Sequence, residues 1–464
     1  MTDRHPSFRR SGLLALGLLA TGLEPPARAD APEPLSVARA VELGLAHAPD
    51  LAVAFATDAE ASASARLAAD ASHPEAWLIT TPGYSQGLPG AVAGRLPAVA
   101  GVEVRQNLYD PARRADALEA RARRSLSRAG VETAKSATAQ AVVLAYARCW
   151  ADESLLAGAE RRLERSVVMR ERTDALRGEG RATQLEVEKA ALHEAQARQA
   201  RLDRLSDRDL DQLELRRLIG WAPSVPLVLT DDPLASLPDV GPGDGLSLAR
   251  ASDPNTRGLD EAVEAYEGAE ALRSRSWAPV VDVDAQYSRL VRYRGYDEFY
   301  RAFKADNWSV GLSVVVPLWT GGRTADALAR WRASRERLVA QRRSREAQLE
   351  LLMRRTEASL GRAVARLSLL RRAEGVAEEE LRVARALAEE GKVGLAEVDA
   401  RDLALADARD EVVRAAGELL AARVQLMSLR GELVSAVLHP LPAAAQTSQV
   451  PLPHAGGPSP FPQP

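Results

Sequence analysis

Between Pro111 and Arg177 the chain runs about 67 residues with no further proline and only two glycines, Gly130 and Gly158. An α-helix of that length extends about 100 Å, since each residue rises 1.5 Å. Helices so long belong to coiled coils and ducts, not to ordinary globular domains. A second stretch of about the same length and character runs from Arg323 to Glu390. Composition agrees: aromatic residues make up only 4% of the chain while Ala, Leu, Arg and Glu dominate, the usage of long packed helices.

The two stretches open at similar corners. Tyr109-Asp110-Pro111-Ala112-Arg113-Arg114-Ala115-Asp116-Ala117-Leu118 is echoed by Trp319-Thr320-Gly321-Gly322-Arg323-Thr324-Ala325-Asp326-Ala327-Leu328. Other punctuation repeats in the same order. Ala48-Pro49-Asp50 pairs with Asp253-Pro254-Asn255, Pro74 with Pro279, and Gly178-Glu179-Gly180-Arg181 with Glu389-Glu390-Gly391-Lys392. Matches in one order at nearly the same offset imply an internal duplication.

The reading divides the chain as follows. Residues 1–29 form an export signal. Residues 30–220 form a first repeat: a helix broken at Pro49, a strand pair over 76–109, the long helix 111–177 and a helix over 183–220. Residues 221–246 are a Pro/Gly-rich connector. Residues 247–434 form a second repeat: a helix, a strand pair over 279–317, the long helix 323–390 and a helix over 395–434. A disordered tail covers 435–464, rich in Pro, Gly, Ser and Gln. Ser36 is expected to cap the first helix, Pro111 suits a first helical position, and Thr183 with Glu186 forms a capping box. The strands alternate: Val102, Val104, Gln106 and Leu108 against Glu103, Arg105 and Asn107, and Val281, Val283, Ala285 and Tyr287 against Asp282, Asp284, Gln286 and Ser288.

Arg4, Arg9 and Arg10 precede an apolar run from Leu13 to Leu23 and then Ala27-Arg28-Ala29, the pattern of a cleaved secretory signal. Removing it leaves a net charge of about −5, which offers no bulk attraction to nucleic acid. After residue 30 no apolar stretch approaches the roughly 20 residues of a spanning helix. The one cysteine, Cys149, falls within a helical pattern and reads as a small buried side chain.

Lengths constrain the architecture further. In each half the two shorter helices together match the long one, so two short helices stacked end to end would span it. The result is a rod with strands at one end and glycine turns at the other. Four strands with one apolar face cannot close alone, and a barrel in lipid must close. Closure calls for further copies, and three would supply twelve strands. The fold class expected is therefore mostly α with a small β part: a long antiparallel coiled coil or α-barrel, plus four transmembrane β-strands per chain.

The signal, Leu35-Ser36-Val37-Ala38-Arg39-Ala40-Val41 with Pro49-Asp50-Leu51, the Val316-Pro317-Leu318-Trp319-Thr320-Gly321-Gly322-Arg323 corner and the two glycine turns resemble the TolC-like outer-membrane efflux protein family, over residues 35 to about 434. That resemblance implies a homotrimer: a twelve-strand β-barrel set in outer-membrane lipid and continued as a helical tunnel across the periplasm. It implies a passive exit duct of a tripartite efflux or type I secretion system. A periplasmic adaptor would dock on tip turns at Arg177, Gly178, Gly180, Arg181 and Thr183 and at Gly391, Lys392, Val393 and Gly394, and an inner-membrane pump would supply the energy. The strand-to-helix corners carry Tyr109, Pro111 and Arg113, and Pro317, Trp319, Gly321, Gly322 and Arg323. In the first, Asp110-Pro111-Ala112 stands where the family has paired glycines.

No catalytic set is visible: His47, His73, His193 and His439 are scattered without ligand spacing, so neither an enzyme, a metal site nor a cofactor is expected. Most charges on the long helices read as solvated or ion-paired faces. Glu179, Glu389 and Glu390 near the tips are candidates for acidic rings under threefold repetition. The competing reading is a soluble periplasmic coiled-coil adaptor or scaffold, from which the four amphipathic strands distinguish the duct.

Overall fold

A computed structural model describes residues 34–80, 98–239, 245–275, 277–290, 306–319 and 321–439. The expected signal over 1–29, residues 291–305 within the second strand pair, Thr320, residues 240–244 of the connector and the tail from 440 onward lie outside these residues.

A two-residue strand β1 (Pro34–Leu35) leads into α1 (Val37–His47). Ser36 caps α1, its hydroxyl accepting from the Arg39 N–H at 3.1 Å. Pro49 divides α1 from α2 (Pro49–Asp70), because a residue before proline is driven out of the helical region; Ala48 sits at φ −60, ψ 127. Strands β2 (Glu75–Ile79) and β3 (Ala98–Tyr109) follow. Then come the 68-residue α3 (Pro111–Gly178) and α4 (Gln184–Ile219), which ends on left-handed Gly220 at φ 76. Asp110 caps α3 by accepting from Ala112 N–H at 2.8 Å and Arg113 N–H at 3.3 Å.

The connector differs from its expectation. It holds a strand β4 (Val228–Leu229), paired in parallel with β1, and a helical turn α5 (Pro233–Ser236). The phenol of Tyr146 on α3 explains the order: it donates to the Leu35 carbonyl at 2.9 Å and accepts from the Thr230 and Asp231 N–H groups at 3.2 and 3.1 Å. Polar backbone that would otherwise be stranded against an apolar core is thereby satisfied.

In the second half, α6 (Gly245–Ser252) and α7 (Pro254–Arg273) again meet at a proline, and β5 (Val280–Leu290), β6 (Asp306–Val315), α8 (Arg323–Glu389) and α9 (Leu395–Arg430) follow. The last helix stops short of the expected 434, because Gly431 adopts φ 72 and its N–H closes onto Met427 and Ser428 carbonyls. The chain then turns into α10 (Leu433–Leu438), so helix occupies 435–438, where tail was expected. Leu433 and Val437 are buried, and that burial holds the turn in place.

Helix packing sets the wall. Helices α7 and α9 each lie between α3 and α8; α2 and α4 pack along α3 and make no comparable contact with α8. The main core gathers α1, the middle of α3, the ends of α4 and α9, and α10 around Val41, Val142, Tyr146, Leu215, Val424 and Met427. Cys149 is buried there, and burial pushes its thiol up to about 12. A second cluster nearer the strands joins Ala115 and Ala122, Ala262 and Tyr266, and Trp331 and Leu338.

Candidate functional site: strand face, corners and tip turns

The four longer strands form one antiparallel sheet in the order β2-β3-β5-β6. Its register puts Leu78 beside Val102, Val102 beside Tyr287, and Tyr287 beside Trp308; Val283 lies beside Leu312 and Val281 beside Val314. Because side chains alternate with period two, these residues share one face. That face is apolar and open: Trp308, Val310, Leu312 and Val314 are 76, 66, 65 and 55% exposed. The opposite face carries Glu103, Arg105, Asn107, Asp282, Asp284 and Ser288, with Asn107 donating to the Asp282 carboxylate at 2.9 Å. A soluble sheet packs its apolar face inward; here, among the described residues, no helix covers it. Three of the four, β3, β5 and β6, run 12, 11 and 10 residues, which matches the roughly 9–11 needed to cross a bilayer at a tilt; β2 is described over five. Both edge strands, β2 and β6, have one unpaired side within the described chain.

Aromatic residues mark both ends of the band. Trp308 and Tyr287 lie at the end away from the helices, and the exposed Trp277 and Trp319 at the helical end, as interfacial side chains do. The corners at this end solve one problem by two chemistries. In the first, Asp110 caps and Pro111 presets the helical φ, while Arg113 donates to the Ala71 carbonyl at 2.6 Å and so ties the corner to the end of α2. Arg114 lies over the Tyr109 ring at 4.8 Å. In the second, after Pro317 and Trp319, Gly321 and Gly322 take φ 62 and 89, which side-chain-bearing residues rarely adopt, and Gly322 precedes Arg323 as an N-cap without a side chain.

At the far end of the helices the two turns are alike. Gly180 and Gly391 adopt φ 72 and 73, and the next N–H in each, Arg181 and Lys392, reaches back to the Leu176 and Leu387 carbonyls at 2.8 and 2.9 Å. This is the left-handed helix ending that glycine favours. Gly178, expected to break the helix, is instead its last residue. Thr183 and Glu186 form the capping box; hydrogen bonds from Thr183 hold the Glu186 carboxyl below its usual range. Gly394 takes the matching position before α9 without a cap side chain, and Val393 separates it from Lys392. Within the turns Glu179 pairs with Arg181 at 3.3 Å and Glu390 with Lys392 at 2.5 Å, both exposed; Arg177 and Glu389 are the neighbouring exposed charges.

Sequence reading missed the charges that join the two coils above the turns. Arg162 of α3 contacts Asp410 and Asp407 of α9 at 2.6 and 3.2 Å; Arg165 of α3 meets Asp402, which also accepts from Arg385 of α8 at 3.3 Å. Asp402 and Asp410 are buried. Nothing in the sequence marks these residues apart from dozens of similar charges; partners 248 positions apart in sequence become visible only in the fold. Among the described residues no three His, Cys, Asp or Glu side chains gather as metal ligands would, and no helix is long and apolar enough to cross a membrane.

Comparison with known proteins matches residues 245–432 to the family model of the outer membrane efflux protein. Curated sequences give no match. Solved structures do. The outer-membrane channel OprN superposes with TM-score 0.68 at 19% identity, over 85% of this chain and 90% of OprN. The outer membrane protein VceC of Vibrio cholerae gives 0.65 at 18%, over 85 and 96%. The Neisseria gonorrhoeae outer membrane channel MtrE, in its open state, gives 0.68 at 14%, over 86 and 89%. The second half of the chain thus matches the outer membrane efflux protein family model, and the fold along the described length is the one these channels share.

Proposed function

We propose that the chain is one third of a passive export duct. A homotrimer would close its strands as a twelve-strand barrel in outer-membrane lipid and its helices as a tunnel through the periplasm. The observation that carries this reading is an asymmetry in packing. Each short helix of the second half, α7 and α9, fills a groove between two long helices; each short helix of the first half, α2 and α4, has only α3. Their free flanks carry exposed apolar side chains: Val53 and Leu67 on α2, and Leu185, Leu192 and Leu202 on α4. One side of α8 exposes Leu351, Leu369 and Val376, which helical spacing sets in line. A next copy offering α2 and α4 to this α8 repeats the arrangement that α7 and α9 already make. Such a head-to-tail contact generates a ring when the rotation closes.

The same ring supplies each open sheet edge with a partner, which lipid cannot do. The two tip turns then line one end of the tunnel, and we assign to them the docking of a periplasmic adaptor that links the duct to an inner-membrane pump. Glu179, Glu389 and Glu390 would recur three times around that end. The polar sheet face with Asp282 and Asp284 would line the barrel lumen. Transport energy comes from the pump, and the duct itself needs no catalytic group.

The test is direct. Detergent-extracted protein from the outer-membrane fraction should run as a trimer by light scattering and open ohmic conductances in planar bilayers. A stable monomer in the soluble periplasmic fraction would instead support the adaptor or scaffold reading.

A further inference from the structure

Tipward of the main core, α3 and α4 face each other across two carboxylates. Asp152 on α3 is 7% exposed and its Oδ2 has no donor. Arg148, one helical turn before Asp152 on α3, donates through Nε to Oδ1 of Asp211 on α4 at 2.9 Å, and this sets the Asp211 carboxyl beside Asp152. Two ionised carboxylates are both acceptors only, so they bond to one another only while one is protonated. Burial first, then the charge of Asp211, the bond to it and the charge of Asp207 push the Asp152 carboxyl up to about 7, with Arg204 opposing. Cys149 on α3 faces the same pair, its thiol pushed up by burial first and then by Asp211 and Asp152, so it stays protonated across the range; Arg204 is paired with Asp207 at 3.5 Å, and the charges of the flanking helices include Arg39 with Glu42 on α1 and Arg414 with Glu411 on α9. Arg216 on α4 is engaged with the Val225 carbonyl at 2.9 Å and with Gln212.

We propose that Asp152 and Asp211 form a proton-operated clamp between α3 and α4, closed while they share one proton and loosened when it is lost. In the closed form the Asp152 hydroxyl donates to Asp211, which keeps its bond to Arg148. On opening, the proton passes to water and two like charges are left side by side in a half-dry seam. From Asp152 to the first tip turn α3 runs about 40 Å, so the clamp lies within the coil that carries the turn. Resting on the duct reading above, this means that acid tightens that coil and mild alkali frees it.

The experiment is amide hydrogen exchange on the full-length protein in detergent from pH 5 to 9, corrected for intrinsic exchange, following peptides over 145–156 and 205–215. Wild type should lose protection by about tenfold on passing pH 7, the equivalent of one pK unit. Asp152→Asn, whose amide can donate to Asp211 at every pH, should stay at the protected level throughout. A wild-type profile without a step, or a step of the same size in the variant, overturns the proposal. If Asp152→Asn does not fold by circular dichroism, Asp211→Asn is measured in its place; it puts the donor on the other side and should also abolish the step, and a surviving step again overturns the clamp. Light scattering on the same samples reads assembly separately: a monomer would sink the duct and leave the clamp standing.

Discussion

Arg345 of α8 grips Asp253, the residue before α7, with a two-pronged fork: Nη2 to Oδ1 at 2.7 Å and Nε to Oδ2 at 3.1 Å. The same carboxylate caps α7 by accepting from the Thr256 N–H at 2.9 Å and hydroxyl at 2.7 Å. One buried side chain thus starts a helix and fastens it to its neighbour. Burial opposes ionisation of Asp253, but the Arg345 and Thr256 donors outweigh it and hold the carboxyl below its usual range. Asp253→Ala should cost about 2 kcal/mol, roughly half from the lost cap and half from the stranded guanidinium. The sign of the pH effect follows from the lowered pKa. The stabilisation is present above the unfolded value near 4 and is lost as pH falls through the folded one. Thermal unfolding from pH 7 to 3 should therefore show a steeper acid loss in wild type than in Asp253→Asn.

The sheet makes a two-sided prediction. Leu312 lies mid-strand on the open apolar face beside Val283, and Ser313, one residue on, lies on the polar face beside Asp282. Leu312→Arg should cost about 2–4 kcal/mol if the face meets lipid, whereas Ser313→Arg should be tolerated in a wet lumen. The readout is the fraction of heat-modifiable, membrane-embedded protein in cells. Equal tolerance at both positions would argue against a bilayer-facing sheet.

Much of this architecture was legible because the features that fix it are local. Long runs without proline give α3 and α8, Pro49 and Pro254 place the breaks, Gly180 and Gly391 mark the turns, and strict alternation over 102–108 and 281–288 gives the strand faces. The departures have non-local causes. Strand β4 exists because Tyr146, 82 residues before Val228 in sequence, satisfies the neighbouring backbone at Thr230 and Asp231. Helix α10 follows the last glycine turn because Leu433 and Val437 find a core made by α1 and α3. At the tips, the turn acids Glu179 and Glu390 were visible by position, whereas the Arg162–Asp410 and Arg165–Asp402 contacts depend on how two coils lie together.

Ring closure by α4 against the next copy's α8 can be broken from either side. Leu192 and Leu202 are exposed leucines on α4, and Leu369 and Val376 are exposed on α8. Glutamate at both α4 positions, or at both α8 positions, should dissociate the trimer to monomers by light scattering while leaving helix content unchanged by circular dichroism, since none of the four side chains belongs to the monomer core. Combining all four should add little, because each pair already removes the same seam. Loss of helix content in either double variant would mean that these residues stabilise the monomer instead.

The last prediction separates two kinds of charge near the tip. Glu179 with Arg181 and Glu390 with Lys392 are pairs within single turns, open to solvent, and such pairs contribute at most about 1 kcal/mol. Arg162 with Asp410 joins different coils, and its members are only 21 and 10% exposed, so removing one leaves the other poorly solvated. Arg165 with Asp402 and Arg385 adds a second tie between the same coils. Charge removal at Asp402 and Asp410 together, as Asn, should free the α3/α4 coil from α9 and raise single-channel conductance several-fold, whereas Glu179→Gln with Glu390→Gln should leave it nearly unchanged. A double-mutant cycle on Arg162→Gln and Asp410→Asn should give a coupling above about 0.5 kcal/mol, the threshold that separates contacting from independent sites. The conductance and the coupling report different things: a strong coupling with unchanged conductance would make the contact a brace of the wall, and only the two together make it a restraint on the width of the tunnel.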